Sequence, residues 1–241
     1  MGASATSGKF SSLKGLPAVN PIAEKMGVER DLALVELTGV KYHFDQLSTA
    51  LALEPLRRAK SNGLDVTAGV SIHHLTLNEM DIGDYRTFFK IKPPLRSESD
   101  RVAMVEAIAD GTIDIISSMH TPQDEESKRL PYEEAASGAV GLETILSASL
   151  QLFHNGSISL PQLFRALSLN PAKRFNLPGG TLKLESQADL VLFDPDAPFV
   201  LNRFALNSKS KNTPYDETLM QGKVIKTFVN GHEVFGDSLG E

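Results

Sequence analysis

Short apolar runs separated by longer amphipathic stretches constrain this chain more than any other feature of its sequence. DVTAGVS (Asp65 to Ser71) and IDIIS (Ile113 to Ser117) are each too short for a helix and read as buried strands. Between them, Ser97 or Ser99 can cap a helix running through Ala109, with Gly111 as its stop. Upstream, a helix is predicted from Pro21 to about Leu37, with Val28, Leu32 and Val35 on one side and Gly39 just past its end. Val40 to Leu47 is a short, partly apolar segment. Ser48 or Thr49 can cap a helix reaching Asn62, although Pro55 inside it delays its start. Strand and helix therefore alternate, which predicts a parallel α/β layer joined by right-handed crossovers.

After Met119 the charged loop QDEESKRLPYEE interrupts this rhythm, and a strong helix follows from Gly141 to Phe153. Ser159-Leu-Pro and Asn170-Pro read as two starts of short helices, ended by Pro178-Gly-Gly. The character then changes. Ala188 to Asp194 and Gly222 to Phe235 are β-rich, and Asn230-Gly231 is a two-residue hairpin signal. The first 20 residues read as an irregular lead-in.

With 241 residues, 41% of them hydrophobic, the chain can bury a sizeable core. It has no cysteine, which excludes disulfides, thiolate metal sites and a cysteine nucleophile. Its 24 basic and 30 acidic residues give no general attraction to nucleic acid or to an anionic membrane. No run approaches the roughly 20 apolar residues of a membrane helix, and no secretory signal opens the chain, so a cytoplasmic location is expected.

Several segments, in order, carry a resemblance to a known family. They are GLPAVNPIAE with RDLALVELTG, HFDQLST, VTAGVSIHHLTL, KIKPPLR, DGTIDIISSMHTP, SGAVGLET, and NPAKRFNLPGGTL leading into QADLVLFDPD. Together they resemble the dihydroorotases of the cyclic amidohydrolase family from about Gly15 to Phe235. The resemblance implies the last three strands of a (β/α)8 TIM barrel of the metal-dependent amidohydrolase type, spanning residues 1–182. The closing hairpin then implies part of the small β-sandwich, over residues 183–241. Working relatives hold zinc at the strand ends, where it lowers the pKa of bound water to about 7.

At the residues that matter the resemblance fails. Where the family has His-Val-Ser-Thr, this chain has Gln46-Leu47-Ser48-Thr49, replacing an imidazole ligand with a neutral amide. Where it has Asp-His-Ala-Pro-His, this chain has Met119-His120-Thr121-Pro122-Gln123, and a thioether cannot act as a proton acceptor. Gln123 stands where a histidine helps hold the substrate carboxylate, and Lys92 where an asparagine contacts substrate, though Lys92 can still attract an anion. Gln46, Met119, Gln123 and Lys92 are thus vestigial site positions, with no catalytic residue, no metal ligand and no cofactor expected. The matching segments begin just before the sixth barrel strand, so the remaining family ligands have no counterpart.

Other polar residues have plainer readings. His73 and His74, as neighbours on a strand, point to opposite faces and cannot both reach one ion. His43 and Asp45 alternate on one face. Arg96 is expected to form an ion pair or orient a loop, His120 to make a structural hydrogen bond, and His154 to cap carbonyls or meet water. Gly138 and Gly141 are expected to set a turn, with amides that can receive an oxyanion. Three parallel strands cannot close a barrel, so their open edge needs a cover and an oligomer is expected.

The leading expectation is a non-catalytic dihydroorotase-like protein, a structural companion of aspartate carbamoyltransferase in pyrimidine biosynthesis, by analogy with inactive relatives. The rival is a dihydroorotase converting carbamoyl-aspartate to dihydroorotate, completed by another barrel chain or a missing amino-terminal half. A third reading is the product of a disrupted reading frame.

Overall fold

The computed structural model describes residues 3–236. Its strands are β1 (Ala5–Thr6), β2 (Ala18–Val19), β3 (Tyr42–Phe44), β4 (Val66–Ser71), β5 (Ile115–Ser117), β6 (Leu190–Val200), β7 (Leu219–Val229) and β8 (His232–Gly236). The α-helices are α1 (Lys9–Lys14), α2 (Ile22–Thr38), α3 (Leu53–Ser61), α4 (Ile72–Thr76), α5 (Glu98–Ala109), α6 (Glu125–Arg129), α7 (Ile145–His154), α8 (Leu160–Phe164) and α9 (Asn170–Phe175).

β3, β4 and β5 form a parallel sheet in that order, with His43 opposite Thr67 and Gly69 opposite Ile115. Alternation along β4 explains its two faces. Val66, Ala68 and Val70 are buried in the apolar clusters formed with the helices, while Thr67, Gly69 and Ser71 face the other way. Beneath the sheet, α2 and α3 pack Val28, Leu32, Val35 and Leu56 against Phe44 and Ala68. The hydroxyl of Ser97 caps α5 by accepting from the Asp100 amide at 3.2 Å, satisfying one of the amides a helix start leaves free.

Three local expectations need correction. The lead-in is not irregular: β1 and β2 pair in parallel, and α1 lies between them. Neither Ser48 nor Thr49 caps a helix; a 3-10 turn at Ala50–Ala52 intervenes, and α3 starts at Leu53 with Pro55 in its first turn, where a missing amide hydrogen costs nothing. His73 and His74 lie not on a strand but on α4, because the Ser71 hydroxyl accepts from the His73 amide at 3.0 Å and turns the chain into a helix there. Asn170 opens α9 as expected but does not cap it, since α8 runs through a π-helical turn at Arg165–Leu169 into α9, and the Asn170 amide group donates to the Asp114 carbonyl instead.

β6, β7 and β8 form an antiparallel sheet, with Asn230 and Gly231 at φ 51° and 77° in the hairpin bend. This sheet is not isolated from the rest. Leu201, Leu206, Tyr215 and Met220 join Val70, Ile116, Leu150 and Leu163 in the main apolar cluster. Gly222 is required for this approach, because a side chain there would overlap Leu150.

Candidate functional site

Relatives of this architecture work at the carboxyl ends of their parallel strands, so the segments leaving β3, β4 and β5 define the candidate site. Directly after β3 the backbone of Gln46 is left-handed, at φ 57°, and shortly after β5 that of Met119 is left-handed at φ 47°. Such conformations cost on the order of 1–3 kcal/mol in a non-glycine residue and persist only where the surroundings impose them. Both positions therefore hold a demanding backbone geometry.

The side chains diverge. Gln46 and Lys92 line one shallow groove of about 640 Å³, together with Val19, Glu24, Asp45 and Arg96. Met119 is buried instead in an apolar cluster with Phe10, Ile91, Leu95 and Tyr132. Gln123 is engaged as structure: its side-chain amide donates to the Ser137 carbonyl at 3.2 Å, and its backbone amide donates to Asn212 at 3.2 Å. The structure brings Gln46 and Lys92 together and leaves Met119 and Gln123 elsewhere.

A buried ionic cluster holds the Gln46 loop. The Glu24 carboxylate accepts from the backbone amides of Ser48 (2.9 Å) and Thr49 (2.8 Å), from both of their hydroxyls, and from Arg96 at 3.3 Å. Arg96, only 5% exposed, also donates to Ser48 Oγ at 3.0 Å and to Thr6 Oγ1 at 3.2 Å, which ties β1 into the same cluster. Arg96 thus has the ion-pairing, loop-orienting role expected of it. Glu24 escaped sequence reasoning, since a carboxylate in the first turn of a helix ordinarily signals no more than a favourable helix dipole.

His73 and His74 are neutral and structural. Burial pushes His73 down to about 3 and His74 down to about 4, the proximity of each other or of Arg96 adding to the effect. Thr76 donates to the Ile72 carbonyl, Tyr215 can then donate to Thr76, and His73 Nδ1 donates to Tyr215 at 3.3 Å. His73 Nε2 is left as a bare nitrogen with no partner, as is His74 Nδ1, since His74 Nε2 donates to the Pro94 carbonyl. His120 Nδ1 accepts from the amides of Gly141 and Leu142, both at 3.3 Å, and His154 donates to the Pro195 carbonyl at 3.0 Å. The Gly141 amide is therefore spent on His120, and that of Gly138 on the Lys90 carbonyl, so neither is free to receive an oxyanion. A side chain at Gly141 would overlap the Ser118 carbonyl. His43 and Asp45 do converge, both approaching Gly69, but His43 Nδ1 is bonded to Thr67 at 2.8 Å.

The model of the amidohydrolase family matches residues 23–234. The chain belongs to that family. In sequence it is dihydroorotase-like: it is 41% identical over 229 residues to the dihydroorotase of Ehrlichia canis (strain Jake), covering 95% of this chain and 51% of the relative. It is 42% identical to the dihydroorotase of Anaeromyxobacter dehalogenans over 92% of this chain and 51% of that protein. Among solved structures, the L-hydantoinase (dihydropyrimidinase) from Arthrobacter aurescens superposes with a TM-score of 0.88 at 28% identity, covering 98% of this chain and 54% of the other. The amidohydrolase chain described here spans about half the length of the curated relatives it matches.

Zinc is the metal that family resemblance implies, and the donors present do not fit it. A zinc site needs three or four convergent nitrogen, sulfur or carboxylate ligands. Among the described residues no three His, Cys, Asp or Glu side chains come together in that way. His73 Nε2 and His74 Nδ1 are bare, but no carboxylate joins either of them, and the two positions best placed to help carry an amide and a thioether.

Proposed function

We propose that this amidohydrolase chain is a non-catalytic, dihydroorotase-like scaffold of the cytoplasm that acts through association rather than hydrolysis. One observation supports the reading: after β3 and β5, Gln46 and Met119 stand where the family resemblance places an imidazole and a carboxylate that would hold a metal and move a proton, and Met119 is buried among apolar side chains. Aspartate carbamoyltransferase is the proposed companion, which would place the chain in pyrimidine biosynthesis. The absence, among the described residues, of a helix long and apolar enough to cross a membrane agrees with this setting.

The test is the zinc content of the purified chain and its cyclisation of carbamoyl-aspartate with added Zn²⁺, alone and with aspartate carbamoyltransferase. Substoichiometric zinc and no metal-dependent turnover are expected, together with co-purification of the carbamoyltransferase. Robust zinc-dependent turnover would overturn the proposal. The rival reading, a dihydroorotase completed by another chain or an amino-terminal half, draws on the 41% identity to a dihydroorotase over 95% of this chain. It is separated by the double variant Gln46→His, Met119→Asp, which regains activity only if the other ligands reach the site from elsewhere.

A further inference from the structure

We infer that the pocket between α6 and the segment 203–212, centred on Arg203, is a binding site for a small phosphate monoester. It shares no lining residue with the groove of Gln46 and Lys92, and it rests on neither reading of the strand ends. Its volume of about 310 Å³ suits a small metabolite.

Arg203 makes the case. Its guanidinium lies over the ring of Phe88 at 5.3 Å and over that of Phe204 at 4.7 Å. The Asp216 carboxylate fixes the same residue twice: Oδ1 accepts from the Arg203 backbone amide at 2.9 Å, and Oδ2 stands 3.2 Å from Nε as an ion pair without the alignment of a hydrogen bond. An arginine on a connecting segment ordinarily samples many rotamers. One held against two rings and a carboxylate has given up that freedom before any ligand arrives. Its two terminal nitrogens, the fork that grips an oxyanion through parallel hydrogen bonds, donate to nothing among the described residues.

The other lining charges decide the class of ligand. Lys128 donates to the carbonyls of Thr87 and Ala136 at 2.9 and 2.8 Å, and Lys211 donates to the Leu206 carbonyl at 2.6 Å. Asp124 accepts from the Ser127 amide at 2.8 Å, and Glu125 pairs with Arg129 at 2.7 Å. These four groups are engaged within the protein. Lys209 and the Ser210 hydroxyl are not, so the charged groups left to meet a ligand, Lys209 and the Arg203 fork, are both cationic. Four cationic side chains line the pocket against two acidic ones, in a chain whose net charge is −6. That local surplus of two positive charges matches the nearly two negative charges that a phosphate monoester carries on one group near neutral pH.

The test is calorimetric titration of the whole chain, at fixed ionic strength, with inorganic phosphate and with glycerol phosphate. Succinate serves as a dianion whose two charges sit on separate groups. Both phosphates are expected to bind with a Kd below about 1 mM, and succinate at least ~10-fold more weakly. Arg203→Lys keeps the charge and removes the fork, and should weaken phosphate binding by at least ~10-fold. Lys209→Gln alters an exposed side chain with no partner in the fold, so it tests the pocket even if Arg203→Lys unfolds the chain; a loss of about 3-fold is expected. Lys173→Gln, an equal charge change on the exposed side of α9, should leave binding as it was. No binding by about 10 mM phosphate, succinate binding as tightly as phosphate, a folded Arg203→Lys that binds like the wild type, or equal losses in Lys209→Gln and Lys173→Gln would each overturn the inference.

Discussion

Two regions of the strand-end rim, the Glu24 cluster after β3 and the Met119 cluster after β5, have opposite characters. In the first, a carboxylate and a guanidinium are withdrawn from water yet fully engaged, with Glu24 receiving five donors and Arg96 reaching Glu24, Ser48 and Thr6. In the second, the position the family gives to an aspartate is a methionine among aromatic and aliphatic side chains. Burying a charge is tolerable only where partners offset its desolvation. Charge is buried where it ties loops together, and the rim after β5 is apolar instead.

The comparison breaks most readily at Glu24. Replacing it with alanine would strand Arg96 as a buried cation and leave the amides of Ser48 and Thr49 without their acceptor. A loss of about 3–5 kcal/mol is expected, read as a lowered urea midpoint with an unchanged m-value. A loss below about 1 kcal/mol would mean that the cluster is not what holds the Gln46 loop.

How much of this was legible in the sequence depends on how local the signal is. The hairpin at Asn230-Gly231, the Ser97 cap and the Gly39 stop are decided by residues a few positions apart, and each lies where sequence reasoning put it. β1 and β2 were missed because two residues are too few to show an alternating pattern. His73 and His74 were misplaced by extending an apolar run through Ser71, whose hydroxyl is the signal that ends the strand. Glu24 was invisible as a site residue because its partners lie 24, 25 and 72 positions away, in segments that only the tertiary fold assembles. The burial of Met119 and the engagement of Gln123 were not legible, because their contacts come from distant segments.

A smaller effect separates the two regions by pH. His73 and His74 sit between them, with folded values of about 3 and about 4 against about 6.5 in an unfolded chain. Between these limits the unfolded state binds more protons, so stability is complete above the unfolded value and falls as the pH drops through it. Lowering the pH from 7 to 5.5 should remove about 2 kcal/mol, well before most carboxylates titrate. Equilibrium unfolding at the two pH values checks this, and His73→Phe should remove about half the difference. A flat response would mean that the bare nitrogens find partners.

The smallest effect bears on whether the rim at Gln46 is strained. Gln46 is held at φ 57°, where glycine suffers no steric penalty but a glutamine side chain does. Against this, glycine gains freedom in the unfolded chain, which opposes any benefit by a few tenths to 1 kcal/mol. Gln46→Gly should therefore be neutral to stabilising by up to about 1 kcal/mol in chemical unfolding, whereas Gln46→Val, branched at Cβ, should destabilise by more than 1 kcal/mol. A site kept for the glutamine's own contacts would behave in the reverse manner, losing stability on going to glycine. The sign of this one difference thus distinguishes a loop shaped by its surroundings, the Glu24 clamp above all, from one shaped by the residue now standing in the imidazole's place.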